Sequence, residues 1–422
     1  MTIINIYLIN KLSNNNFKIN IVDSLIKIKI YIKSKSIFII NSEINKINNV
    51  LNTITIIKKI NIYFDKAFKN TIINSIITKI NNIFYNYTSK YLLNSIKFIN
   101  IKSENINLMN ELEIYKDIVM DPNKNPDTYL KYIKSRIPQN YKLKIYNLNK
   151  TNKFPISRAV GAGSQYNSYF IHIYPKKENI KNKSIYLVGK AVTFDSGGLN
   201  LKYGDMSDMK IDMIGSAIIV SVLNLLAINK FDKNTNIHLL FSIVENMIDN
   251  TATRPGMVFK TMSNKTIEIV NTDAEGRLCM VDCIDYANLY LIKNKNSIII
   301  DISTLTGNAT NITTNMSSIT TSNKKGIQYI NKLINIGDNI GEYVDYLIMR
   351  EEYYSLLKST VADIKNINYN IKADCIMAGV FLSTFIVNEI PWIHIDLGGI
   401  VYSDNKVVSY GIHLLYEFIK QI

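Results

Sequence analysis

Hydrophobic residues change their spacing along the chain, and each change predicts a different kind of element. The opening "MTIINIYLINKLSNNNFKINIV" alternates apolar and polar positions, the period-two signature of strands. The same Ile- and Asn-rich texture, as in "INKINNVLNTITIIKKINIYF", runs to about residue 102 as short strands and helices without a recognisable site. From Ser103 the period lengthens, so that Leu108, Leu112, Tyr115 and Val119 fall on one helical face. Pro122 and Pro126 in "MDPNKNP" forbid continuation of that helix. It marks the boundary between a small first domain, 1–102, and a larger second one, 103–422.

The second domain becomes regular at "SIYLVGKAVTF", a buried strand predicted over 184–194, followed by a helical pattern from about Ser207 to Ala227. A strand at 236–244 ("NIHLLFSIV"), a helix from Gly276 to about Ile292 and a strand at 297–303 ("SIIIDIS") complete a βαβαβ run. Near-continuous apolar strands separated by helices predict a parallel sheet covered on both faces. The fold class is therefore α/β: a small N-terminal α/β domain and a larger C-terminal domain with a mostly parallel central sheet flanked by helices. Ligands of such sheets sit beyond the carboxyl ends of the strands. There the chain places "DSGG", "ENMIDN" and "TLTG".

Composition narrows the function classes. A length of 422 residues favours two domains, and 47% hydrophobic with 20% charged residues is globular. The net charge of +15 is spread through Ile, Asn and Tyr rather than gathered into a basic block. It therefore reads as compositional bias and not as a nucleic-acid footprint. Cys279, Cys283 and Cys375 cannot all pair and have no CxxC spacing, which fits buried free thiols in a reducing compartment. No apolar run is long enough for a membrane span, so a soluble cytoplasmic protein is expected, with a Lys/Asn-rich organelle transit segment left open.

The candidate chemistry lies in acidic residues. Asp273 and Glu275 in "NTDAEGRL" are two apart, so an extended segment would point both the same way before Gly276 turns the chain into a helix. A bland role as helix-start acids is equally open to that pair alone. Asp195 ends a strand at "TFDSGG", and Asp212 interrupts the apolar helical pattern of "MKIDMIGSA", where an unpaired buried carboxylate would be costly. Four carboxylates near one sheet edge need cations, and two divalent metal ions are the economical answer. His172, His238, His394 and His413 show no metal-ligand spacing and read as structural, and Cys279 and Cys283 read as core. Lys190 sits inside an apolar strand, where a nearby dication would favour its neutral, ligating amine. Lys202 in "LNLKYGD" could stay charged as an electrophile, although a lone strand lysine and a loop lysine are more often snorkelling and solvated.

The segments "LVGKAVTFDSGGLNLK", "MKIDMIGSA", "TATRPGMV", "NTDAEGRL" and "STLTG" resemble the M17 leucyl aminopeptidases, or cytosol aminopeptidases, from about residue 105 onward. "SRAVGAGSQYNSYFIHIYP", "ADIKN", "FLSTFI" and "PWIHIDLGG" continue the likeness in order. The resemblance implies a binuclear exopeptidase that releases N-terminal residues, leucine-like ones preferred, through a metal-activated water. Lys190, Asp195, Asp212 and Glu275 would hold the tighter metal, and Asp195, Asp273 and Glu275 the exchangeable one. Zinc is the implied occupant, with manganese or magnesium at the looser site. Lys202 would stabilise the oxyanion, and Arg277, one of five arginines, would hold a bicarbonate acting as general base. A planar guanidinium fork suits such an anion as a lysine does not.

Met209, Thr304 and Gly307 match positions lining the first-residue pocket. A homohexamer acting on peptides with a free N-terminus is implied, with no membrane or nucleic-acid partner. Departures from the pattern are Ala191 after the lysine, Ile214 near Asp212, Asn308 after "TLTG", and "KADCIMAG" where a glycine-rich segment is usual. Two other classes compete: a catalytically impaired scaffold with a structural or DNA-binding role, and a two-metal phosphoesterase. The full set of two lysines and four acids argues against the first, and the surrounding motifs argue against the second.

Overall fold

The computed structural model describes residues 2–10, 17–22, 25–32, 57–64, 68–85, 96–231, 234–293, 296–387, 390–403 and 405–422. Among the described residues of the first hundred, β1 (Thr2–Asn10), β2 (Phe17–Val22), β3 (Leu25–Ile32), β4 (Ile57–Phe64) and β5 (Ile96–Ile99) form a five-stranded sheet. Its order is β2-β3-β1-β4-β5, parallel except for the β2–β3 pair. Helix α1 (Asn70–Phe84) supplies the buried face of Ile73, Ile76, Ile77 and Ile80, which meets Ile60 and Ile62 of β4.

Helix α2 (Ser103–Met120) joins this unit to the rest of the chain. Its Leu108, Leu112, Tyr115 and Val119 are buried, as the period predicts. The helix packs on α1 on one side and, on the other, on α5 (Ile214–Ile228) of the large sheet. Helix α3 (Pro126–Ser135) begins where the prolines stop α2, because Asn125 accepts backbone N–H bonds from Asp127 and Thr128 and Pro126 occupies the first turn.

The large sheet contains β6 (Tyr141–Asn147), β7 (Tyr169–Pro175), β8 (Lys183–Gly189), β9 (Ala191–Asp195), β10 (Thr235–Asn246), β13 (Ser297–Ser303), β14 (Ser317–Ser322), β15 (Tyr343–Tyr346) and β17 (Trp392–Asp396). A separate three-stranded ribbon of β11 (Val258–Lys260), β12 (Thr266–Glu268) and β16 (Ile364–Lys365) lies outside it. The large sheet runs β15-β14-β17-β13-β8-β10-β7-β6, with β9 also paired to β10. Its centre is parallel, and β6, β7 and β14 add antiparallel pairings. Short helices α4 (Pro155–Val160) and α7 (Ala309–Thr313) sit in its connections. On one face, α5 and α10 (Ile412–Gln421) share an apolar core with α2, and α8 (Ile327–Ile340) joins it. On the other, α6 (Glu275–Tyr286) and α9 (Asp374–Ser383) pack around Trp392 and Phe381. Two covered faces explain why the central strands read as almost unbroken apolar runs.

Three expected boundaries move. The strand predicted over 184–194 is two strands broken at Lys190, whose N–H bonds the Ile302 carbonyl and whose carbonyl accepts from Ser216. The edge shared with β13 ends there, and the chain continues along β10 alone. The helix predicted from Ser207 begins at Ile214, after a single tight turn over Met209–Ile211, so Asp212 stands before the helix and not within it. The helix predicted to Ile292 ends at Tyr286 and passes into a wider turn over Ala287–Leu291.

Glu342 ties the last helix to the sheet: its Oε2 accepts the backbone N–H groups of Gly411 and Leu414 at 2.9 and 3.0 Å. Burial pushes its pKa up from the usual 4.5 to about 7, against the pull of those two bonds. The folded chain therefore holds a proton that the unfolded chain releases, and stability falls as pH rises from 4.5 through about 7. The loss is about 3 kcal/mol. Glu342→Gln keeps an acceptor and removes the titration. Its thermal midpoint relative to the native chain should climb between pH 5 and 8, and parallel pH profiles would refute the assignment.

Candidate metal centre

Every acidic candidate lies at the carboxyl edge of the parallel strands. Asp195 is the last residue of β9, and its Oδ1 accepts from the Gly197 N–H at 2.9 Å and from Asn246 Nδ2 at 2.8 Å. Gly197 and Gly198 have φ of +86° and +64°, and a Cβ on Gly197 would stand 2.4 Å from the Asn200 carbonyl oxygen, so this turn requires glycine. Asp212 follows the Met209–Ile211 turn, where Thr304 Oγ1 donates to its Oδ1 at 2.8 Å. Asp273 lies in a turn and Glu275 is the first residue of α6. The two acids thus converge through a turn into a helix and not along an extended strand.

The "DSGG" and "NTDAEG" segments are sewn together by Thr272 and Asn200. Thr272 Oγ1 donates to the Gly197 carbonyl at 2.7 Å, and Asn200 Oδ1 accepts the Thr272 N–H at 2.8 Å.

Two lysines enter this acidic cluster. Lys190 Nζ stands 2.7 Å from Asp212 Oδ2, 2.7 Å from Glu275 Oε1 and 3.0 Å from the Thr304 carbonyl. Lys202 Nζ is 2.7 Å from Asp195 Oδ2 and also pairs with Asp273. Burial opposes the charge on both lysines, but the surrounding carboxylates outweigh it and hold both pKa values above the usual range. With the carboxylates alone around it Lys190 favours its charged form, and a dication among those carboxylates would favour the neutral, ligating amine. Burial pushes Asp195 up to about 7, Asp212 well above its usual value and Asp273 above it. Glu275 is also buried, but Lys190 and Lys202 draw it down to about 2.

The donor set fits divalent ions. Four carboxylates face two ammonium groups, so the cluster is short of positive charge. Asp212 Oδ2, Asp273 Oδ1 and Glu275 Oε1 are buried atoms held by the ion pairs with Lys190 and Lys202. Asp195, Asp273 and Glu275 each bring one oxygen within 4.8 Å of the others, a spacing that one ion can span. All-oxygen ligands with one amine suit manganese, magnesium or zinc better than a thiolate metal.

Beside the cluster lies a cavity of about 360 Å³. Met209, Thr304 and Gly307 line it together with Lys190, Asp195, Lys202, Asp212, Asp273 and Glu275. Arg277 is not among the residues on that wall: it is buried two residues past Glu275 in α6, bonded to the Asn366 carbonyl and to Asp374, each at 2.9 Å. The histidines stay apart from the cluster. His172 and His238 meet each other at 3.0 Å, with burial lowering them to about 3 and 4, while His394 pairs with Asp301. The three cysteines are buried and free.

Asn246, Asp396 and Asn366, none of them a candidate from the sequence, steady the site. Asn246 orients Asp195 and also donates to the Thr272 carbonyl at 3.1 Å. Asp396, at the end of β17, accepts from Leu305 N–H and Thr306 Oγ1 and so fixes the "TLTG" loop. Asn366 clamps the loop before Asp273 by accepting from the Val270 N–H at 2.8 Å and donating to the Asn271 carbonyl at 2.7 Å. Two signals point to them: Asn246 and Asp396 end strands of the large sheet, and Asn366 and Asp396 lie in "ADIKN" and "PWIHIDLGG".

Residues 113–415 match the model of the cytosol aminopeptidase family's catalytic domain. The probable cytosol aminopeptidase of Rickettsia rickettsii (strain Sheila Smith) is 37% identical over 271 residues, 62% of this chain and 53% of that relative. The chain thus spans about half the length of that relative. The probable cytosol aminopeptidase of Prochlorococcus marinus subsp. pastoris is 34% identical over 354 residues, 78% of this chain and 70% of its own. The solved structure of the bottromycin maturation enzyme BotP in complex with Mn shares the fold, with a TM-score of 0.84 over 99% of both chains at 19% identity.

Gly276 offers a test of the packing. A Cβ there would lie 2.5 Å from Lys190 Cε and 2.8 Å from its Nζ. Gly276→Ala should drive the lysine from between Asp212 and Glu275 while leaving circular dichroism unchanged. The rise in thermal midpoint on adding manganese to metal-free protein should then shrink by at least half. An undiminished rise would show that Lys190 does not shape the site.

Proposed function

The chain belongs to the cytosol aminopeptidase family, and from that membership we propose that it is a metal-dependent aminopeptidase releasing single residues from the free N-terminus of peptides. The observation that carries this reading is the gathering of Lys190, Asp195, Lys202, Asp212, Asp273 and Glu275 on the wall of one cavity. Lys190, Asp195, Asp212 and Glu275 would hold one ion and Asp195, Asp273 and Glu275 a second, with Asp195 and Glu275 shared. Zinc at the first position and manganese or magnesium at the second is the occupancy the resemblance favours. Divalent ions held there would polarise a peptide carbonyl and make water a better nucleophile.

The chain's own residues do the rest. Lys202, whose side chain is 24% exposed at the cavity wall, can donate to the carbonyl oxygen as that atom gains charge. Asp195 and Asp273 hold Lys202 in place beforehand, which removes part of the cost of ordering it. Met209, Thr304 and Gly307 lie on the cavity wall and would border the first side chain, and the leucine-like preference is carried over from the resemblance. Arg277 supports the site from behind Glu275. The bicarbonate that the resemblance gives it meets a competitor in the Asp374 carboxylate.

A homohexamer acting in peptide catabolism in the cytoplasm completes the reading. It draws on the resemblance and on three free thiols, and among the described residues no helix is long and apolar enough to cross a membrane. The bounded alternative is a catalytically impaired scaffold.

A panel of aminoacyl amides and short peptides, offered to metal-free protein refilled with zinc or manganese, separates the two. Leucine-like N-termini should be cut fastest, and N-acetylated peptides not at all. Glu275→Ala should lower kcat/KM by roughly 100-fold or more. Equal activity from that variant would remove Glu275 from its role, and inactivity toward every free-amine substrate would favour the scaffold.

A further inference from the structure

Arg277 is 1% exposed, and a guanidinium so deeply placed requires a matched anion. Its Nη1 donates to the Asn366 carbonyl and its Nη2 to Asp374 Oδ2, both at 2.9 Å. The pairing is one-pointed: Arg277 Nε and Asp374 Oδ1 are both buried without a hydrogen-bond partner. Both ends are anchored beside the metal centre. Arg277 lies two residues past Glu275 in the first turn of α6, and Asn366 clamps the segment leading to Asp273. Asp374 opens α9, where an acid complements the helix N-terminus, and the preceding Lys372 carbonyl accepts from Asn308 in the loop that lines the cavity.

We propose that Asp374 is the resident anion of Arg277. Its carboxylate occupies the guanidinium that would otherwise take a free oxyanion, and so holds Arg277 and the first turn of α6 in position beneath Glu275. An acid therefore stands in the segment "KADCIMAG", where the family resemblance leads one to expect glycine-rich chain and a bound bicarbonate. Asp374 is a positioning residue. Its effect on turnover rests on the peptidase reading, whereas the pairing with Arg277 does not.

Removing the carboxylate leaves a buried, unmatched guanidinium facing a hole shaped for a small planar oxyanion. The test compares the full native chain with Asp374→Ala in formate, bicarbonate and chloride at equal ionic strength. Thermal midpoints are read on metal-free protein, and peptide hydrolysis on metal-loaded protein. The native chain should be indifferent to the choice of anion. Asp374→Ala should melt lower, then regain roughly 3 °C or more in formate or bicarbonate but not in chloride. Its hydrolysis should fall about 10-fold or more and recover in the same two anions. Asp374→Asn fills the hole without charge and should show the loss with no recovery.

A native chain whose midpoint rises with bicarbonate overturns the proposal, even if Asp374→Ala fails to fold. An Asp374→Ala protein that folds but ignores all three anions overturns it too. If no form cuts any peptide while the midpoint of Asp374→Ala alone responds to formate, the peptidase reading falls and the resident anion stands.

Discussion

Mutual repulsion among four clustered carboxylates, three of them buried and Asp273 half-buried, is the constraint around which the large domain is arranged. Asp195, Asp212, Asp273 and Glu275 arrive from a strand end, a tight turn, a loop and a helix start, and only cations can keep them together. Lys190 and Lys202 supply part of that charge, each bridging two of the acids. The residual deficit is what suits the site to divalent ions, and burial first, with the neighbouring carboxylates adding to it, raises Asp195, Asp212 and Asp273.

Placing Lys190 splits one run of the sheet into two strands. The break between β8 and β9 frees the lysine from the alternating pattern of a buried ladder, and its backbone groups find partners in Ile302 and Ser216. Gly276 on α6 then leaves room for the aliphatic stem. Sheet, helix and charge are satisfied by one irregularity, which is why the irregularity falls at the site and not elsewhere.

Behind the acids lies a layer of neutral and charged clamps: Asn246, Thr272, Asn366, Asp396 and the Arg277–Asp374 pair. Each fixes a loop that carries or faces a candidate ligand, and most of these bonds join residues far apart in sequence. Rigid support of this kind sets ligand geometry as much as the ligands themselves do.

Local patterns were enough for much of this. The βαβαβ run, the one-sided face of α2 and the placement of "DSGG" and "TLTG" beyond strand ends follow from apolar period and glycine position, which act over a few residues. The split at Lys190, the non-helical setting of Asp212, the turn that joins Asp273 to Glu275 and the partnership of Arg277 with Asp374 were decided only when distant segments met. Burial, charge balance and backbone satisfaction are properties of that meeting. A carboxylate 97 residues from its guanidinium leaves no trace in local spacing.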